Sequence, residues 1–114
     1  MFYCVIKEHI RSYDEPLCLK AGEVVNVGPR DIHWPLWLWC TNTLGVGGWV
    51  PEQLLDGVTG SRARVSREYR SIELTVGRGE LLEGIELLEG WVWCQNDSED
   101  EGWVPLENLE PVVD

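Results

Sequence analysis

The chain repeats itself, and the repeat limits what it can fold into. Residues 37–40 read Trp-Leu-Trp-Cys and 91–94 read Trp-Val-Trp-Cys, while Gly-Trp-Val-Pro at 48–51 recurs letter for letter at 102–105, both at an offset of 54. Asn42 and Asn96 keep that offset. Upstream, Leu17-Cys18-Leu19-Lys20-Ala21-Gly22-Glu23 aligns with Leu74-Thr75-Val76-Gly77-Arg78-Gly79-Glu80 at 57, and Val5-Ile6-Lys7-Glu8-His9 with Val65-Ser66-Arg67-Glu68-Tyr69 at 60. Two copies of one unit therefore occupy the 114 residues, and a repeat must be recognised before any element is assigned. The second copy is shorter by three residues between 9 and 17 and by three between 22 and 37. Length changes fall in loops, so these stretches read as loops and the constant-offset blocks as scaffold. Small, turn-prone residues 57–62 read as a linker between a first unit, 1–56, and a second, 63–114.

Inside each copy the apolar segments are short and bounded by Gly, Pro, Asn or Asp, which marks strands. Val24 to Val27, Leu36 to Cys40, Val46 to Val50, Trp91 to Cys94 and Gly102 to Pro105 are such runs, and the polar stretch 96–101 reads as a hairpin turn. Residues 79–89 look superficially helical, but Gly84 and Gly90 oppose a helix. Where the first copy has an inward Val27 the second has Gly84 followed by Ile85. A bulge that delivers Ile85 to the core is expected there. Short curled sheets bury their edges by closing, so the expected fold is all-β, as two small barrels.

In order, the blocks resemble the SH3 domain: an acidic-aromatic dipeptide, a long loop, Leu-x-aliphatic-x-x-Gly-Glu, a second loop, Trp-x-Trp-Cys, a hairpin and Gly-Trp-Val-Pro. The resemblance holds in both halves and implies two tandem SH3-like small β-barrels, with Gly22-Glu23 forming the family's diverging turn. The tandem arrangement is most similar to prokaryotic proteins made of two variant SH3 domains. Family function lies in an aromatic groove that takes proline-rich peptides in the polyproline II form, with acids of the first long loop (the RT loop) pairing with a basic ligand residue.

Matching the family motif residue by residue, the resemblance implies one groove from Tyr69, Trp91 and Pro105 and another from His9, Trp37 and Pro51, with Tyr13 as an added aromatic wall. The motif's first tyrosine is replaced by Lys7 and Arg67, and its last by Leu54 and Asn108. A cation in place of a ring weakens a proline slot and attracts acids or stacks on aromatics. Asp14, Glu15 and Glu73 remain to pair with a ligand Lys or Arg. Trp37 and Trp91 are expected at the grooves, and Trp39 and Trp93 in packing. Trp49 and Trp103 are expected on the outer face or at the seam between units. Ile32, Trp34 and Leu36 form an apolar insertion absent from the second copy, expected to pack between the units.

Nine Lys and Arg against 20 Asp and Glu give a net charge of −11, which argues against nucleic acid and anionic membranes and favours a cationic partner. No apolar run reaches a membrane span and no signal-peptide core is visible, so a cytoplasmic protein with reduced, mostly buried thiols is expected. The four cysteines and two histidines lack metal-ligand spacing. No catalytic motif stands out, and no metal, cofactor or enzyme activity is expected. The leading functional expectation is a binding module for a proline-containing or basic peptide of a partner protein, acting as a monomer or homodimer. A structural tandem or homodimerising scaffold with a vestigial groove is the alternative, and a cell-wall-binding module, which needs export, the least favoured.

Overall fold

A computed structural model describes residues 1–113. It is all-β, with strands β1 (Phe2–Val5), β2 (Cys18–Leu19), β3 (Val24–Arg30), β4 (Trp37–Thr41), β5 (Gly47–Pro51), β6 (Leu55–Thr59), β7 (Arg62–Val65), β8 (Tyr69–Arg70), β9 (Leu81–Leu88), β10 (Trp91–Gln95), β11 (Glu101–Pro105) and β12 (Leu109–Pro111). Single 3-10 turns, Glu52–Leu54 and Leu106–Asn108, follow β5 and β11. Each turn starts after a proline in extended conformation, as expected of a residue whose fixed φ suits the entry to a helical turn.

The repeat is visible as register. Val24 pairs with Arg64 and Asn26 with Arg62, as Leu81 pairs with Cys4 and Glu83 with Phe2. Trp37 faces Pro51 and Trp39 faces Trp49, as Trp91 faces Pro105 and Trp93 faces Trp103. Both hairpin tips use an asparagine to bind the backbone: Asn42 Oδ1 accepts from Leu44 and Val46, and Asn96 Oδ1 from Ser98 and Asp100. In both diverging turns the glutamate reaches back. Glu23 accepts from the Lys20 amide at 3.1 Å, and Glu80 from the Gly77 amide.

The strands are shared out across the copies. One sheet runs β11-β10-β9-β1-β12 and another β5-β4-β3-β7-β6. The compact units are accordingly Met1–Asp14 with Ile72–Asp114, here called unit 1, and Glu15–Ser71, unit 2. The first strand of each copy completes the sheet of the other, and the chain passes between units at the tips of the two RT loops. This grouping differs from the contiguous division into 1–56 and 63–114. Nor are residues 57–62 a linker. They belong to a hairpin in which β6 turns back on β7, with Gly57 and Gly60 at φ 58° and 63°, a region closed to most side chains. Unit 2 is thus one continuous segment whose ends lie in its RT loop.

Unit 1 packs Val5, Leu74, Val76, Leu82, Val92, Cys94, Val104 and Leu109 into one core. In unit 2 the repeat-equivalent Val65, Leu17, Leu19, Val25, Leu38, Cys40 and Val50 are buried. Burying each such aliphatic side chain contributes about 1.5–3 kcal/mol, so the exchange leaves neither core short of a strand. A register shift in β9 confirms the expected bulge, but Ile85 is exposed and does not enter the core. The Tyr3 ring from β1 occupies the space in front of Gly84, where a Cβ would collide with it.

Burial also sets thiol chemistry. Cys40 and Cys94 are buried, Cys4 is half-buried and Cys18, contrary to the expectation of mostly buried thiols, is exposed. Burial pushes the Cys40 thiol from 9.0 up to about 11 and Cys94 up to about 12. A disulfide reagent at neutral pH is therefore expected to modify Cys18 quickly and Cys40 and Cys94 only on unfolding. Because the folded state holds these protons more tightly, their contribution to stability is complete below about pH 9 and is lost as pH rises through the folded values. Unfolding midpoints measured across this range are expected to fall.

Candidate functional site

The groove positions follow the exchanged strands. In unit 1 the RT arm from β1 is fixed at its base: Val5 N donates to Glu80 O at 2.9 Å, and Ile6 N to Asn108 O at 2.8 Å. Asn108, at the position where the resemblance implies a last groove tyrosine, is buried and donates from Nδ2 to Glu8 O at 3.1 Å. It acts as a strut under the arm rather than as a groove wall. His9 then exchanges backbone hydrogen bonds with Val76, which orients its ring toward Glu73 and Trp91.

Glu73 gathers the arm. Its Oε1 accepts from His9 Nε2 at 2.9 Å, Ser12 N at 3.2 Å and Ser12 Oγ at 3.0 Å. A carboxylate only accepts, so Nε2 carries the proton in this bond. Glu73 is buried, and with these donors on one oxygen it is an internal anchor, not the ligand-facing acid expected from sequence. The His9 ring meets Trp91 edge-on, with centroids 5.4 Å apart and planes at 80°, a favourable geometry for aromatic pairs. Trp91 is half-buried and faces Pro105 across β10 and β11. His9, Trp91 and Pro105 thus stand together, with Tyr13 half-buried and Lys7, Glu8 and Asp14 exposed in the same unit. Asp14 pairs with Arg11 at 2.9 Å, an exposed contact of small energetic weight.

Unit 2 holds Tyr69 with Trp37 and Pro51, where the sequence grouped Tyr69 with Trp91 and His9 with Trp37. Here the aromatic positions are closed. Trp37 and Tyr69 are each 4% exposed and Pro51 is buried, and Tyr69 Oη donates to Trp49 O at 2.6 Å. Trp37, expected at an open groove, is therefore a packed residue. Arg67 and Glu15 lie on the unit's exposed surface. The pairs Trp39 with Trp49 and Trp93 with Trp103 stack edge-on at 5.1 and 5.2 Å across their hairpins.

The apolar insertion also differs from expectation. Ile32 is fully exposed, Leu36 about half exposed and Trp34 half-buried. The loop is organised by polar bonds instead: Asp31 Oδ1 accepts from the His33 and Trp34 amides at 2.8 Å, and Arg30 reaches Pro35 O and Glu52. Ser12, which ties the arm to Glu73, escaped the sequence reading because it lies in the loop whose length differs between the copies, and Asn108 was read only as a replacement for the motif's last tyrosine, not as a support of the arm.

The exchange concentrates charge. Unit 1 carries three Lys and Arg against 14 Asp and Glu, a net of −11, while unit 2 carries six of each and is neutral. All of the protein's net charge belongs to the unit that holds His9 and the half-buried Trp91.

Comparison with known proteins places this geometry. Residues 2–56 match the variant SH3 domain. The chain is similar to the mouse SH3 and PX domain-containing protein 2B, 26% identical over 125 residues, and to the human protein of that name, 27% identical over 125 residues. Each alignment covers 95% of this chain and 13% of the relative, so the chain spans a small part of the relatives it matches. No solved structure matches. SH3 domains in general are protein-interaction modules without catalytic activity.

Proposed function

We propose that the chain is a non-enzymatic tandem interaction module that docks a proline-containing or basic peptide segment of a partner protein in the unit 1 groove. The observation that carries this reading is the contrast between the two aromatic sets: His9 and Trp91 are half-buried, whereas Tyr69 and Trp37 are buried, the prolines Pro105 and Pro51 being buried in both. A rigid polyproline II segment stacks on such a surface at little entropic cost, and the charge of unit 1 attracts a basic flank. Unit 2, with its aromatic positions closed, serves as structure, which retains the scaffold alternative for that unit alone.

Chemical-shift mapping with proline-rich and basic peptide pools tests the reading. Shifts are expected at His9, Trp91 and Pro105 and not at Tyr69, Trp37 and Pro51. Trp91→Ala is expected to weaken the best peptide at least tenfold, about 1.4 kcal/mol, as loss of a central aromatic does. Shifts confined to unit 2, or an affinity indifferent to Trp91→Ala, would overturn it.

A further inference from the structure

The sheet of unit 1 has an apolar outer face that its fold does not require. Along β9, Leu81 and Glu83 face outward, Ile85 stands out at the bulge, and Glu86 follows it as the register partner of Trp93. Phe2 stands on the neighbouring strand as the register partner of Glu83, and Cys4 as the partner of Leu81. Phe2, Leu81 and Ile85 are between 46% and 55% exposed. The equivalent face of unit 2 shows what the fold tolerates there. Arg62 takes the place of Phe2, Arg64 that of Cys4, Asn26 that of Glu83 and Gly28 that of Ile85, all exposed, and the half-buried Val24 stands at the place of Leu81. A solvated face on one barrel and an apolar one on its twin points to an interaction surface on the second.

Charge identifies the occupant. Glu83 lies within the apolar row, Glu110 pairs with Cys4 on β12 and Glu86 faces Trp93 on β10. With unit 1 at −11, two copies of this face repel each other, and so does an anionic lipid surface. We infer that the outer face of β1 and β9 docks a cationic amphipathic segment of a partner protein, its apolar side chains on Phe2, Leu81 and Ile85 and its Lys or Arg side chains on the flanking glutamates. None of these residues belongs to the groove, so the two surfaces can be separated by mutation.

The probe is an extended peptide of alternating Lys and Val, titrated into the full chain and followed by amide shifts, with an alternating Glu and Val peptide as control. Shifts are expected at Phe2, Leu81 and Ile85, with binding that weakens as salt rises. The double variant Leu81→Ser, Ile85→Ser is expected to bind at least tenfold more weakly with its thermal midpoint unchanged and its affinity for a proline-rich groove peptide retained. Equal binding of the acidic control, shifts elsewhere, or affinity unchanged in the double variant would overturn the inference. So would a parent dimer in solution that the double variant dissolves, since the occupant would then be a second copy.

Discussion

Cleavage of the chain in the exposed turn at 58–61 leaves two fragments that stay together under native conditions and part only in denaturant. The expectation follows from strand membership. The N-terminal fragment supplies β1 to unit 1 and β2 to β6 to unit 2, while the C-terminal fragment supplies β7 and β8 to unit 2 and β9 to β12 to unit 1. Removing either fragment strips each barrel of strands and exposes Val5 or Val65, both buried to within 1%. The turn itself carries little: Val58 is exposed, and Gly57 and Gly60 face open space. A protease site placed there, followed by gel filtration, is expected to show one species before and after cutting, resolved into two fragments in urea. Two separately eluting folded fragments would indicate contiguous halves. Residues 15–71 expressed alone are expected to fold cooperatively, since every strand of unit 2 lies within them.

The second large effect is expected at two glycines. A Cβ on Gly102 would lie 2.7 Å from Leu74 N and 2.9 Å from the Glu73 carbonyl carbon. Both are backbone atoms and cannot rotate away. Gly102→Ala must push the Glu73–Leu74 arm off β11, loosening the anchor that holds His9 and Ser12. A loss of about 3 kcal/mol is expected, at the upper end for overpacking, which is a large part of a small domain's stability. Gly48 is its counterpart in unit 2, with Leu17 Cβ at 2.8 Å from the added carbon, and Gly48→Ala is expected to behave similarly. Gly77→Ala, with only Glu80 Oε2 at 3.4 Å, serves as the mild control. Urea unfolding measures all three. A change below 1 kcal/mol at Gly102 would mean that the arm does not pack on β11 as described.

Much of the fold was legible because a strand's identity is local. The Trp-x-Trp-Cys and Gly-Trp-Val-Pro blocks fix one hairpin in each copy, and the falling offset located the loops. The destination of a strand is not local. Phe2–Val5 and Arg62–Val65 present equivalent inward residues, Tyr3 and Val5 against Ala63 and Val65, so either can complete either sheet, and no periodicity distinguishes the partners. The candidate site inherited that ambiguity: the groove positions were identified as residue types, but His9 and Tyr69 were assigned to the wrong tryptophans. Ile85 stayed outside the core for a related reason, because the Tyr3 ring that fills the space at Gly84 arrives from the exchanged strand. Ile32 and Trp37 show the converse, an apolar residue left in solvent and an expected groove residue packed away, both governed by tertiary burial that residue type does not encode.

Cross-strand backbone contacts in solution test the exchange most directly. Nuclear Overhauser effects from Tyr3 to Leu82 and from Ala63 to Val25, the register partners seen here, are the predicted result. Effects from Tyr3 to Val25 and from Ala63 to Leu82 in their place would contradict it.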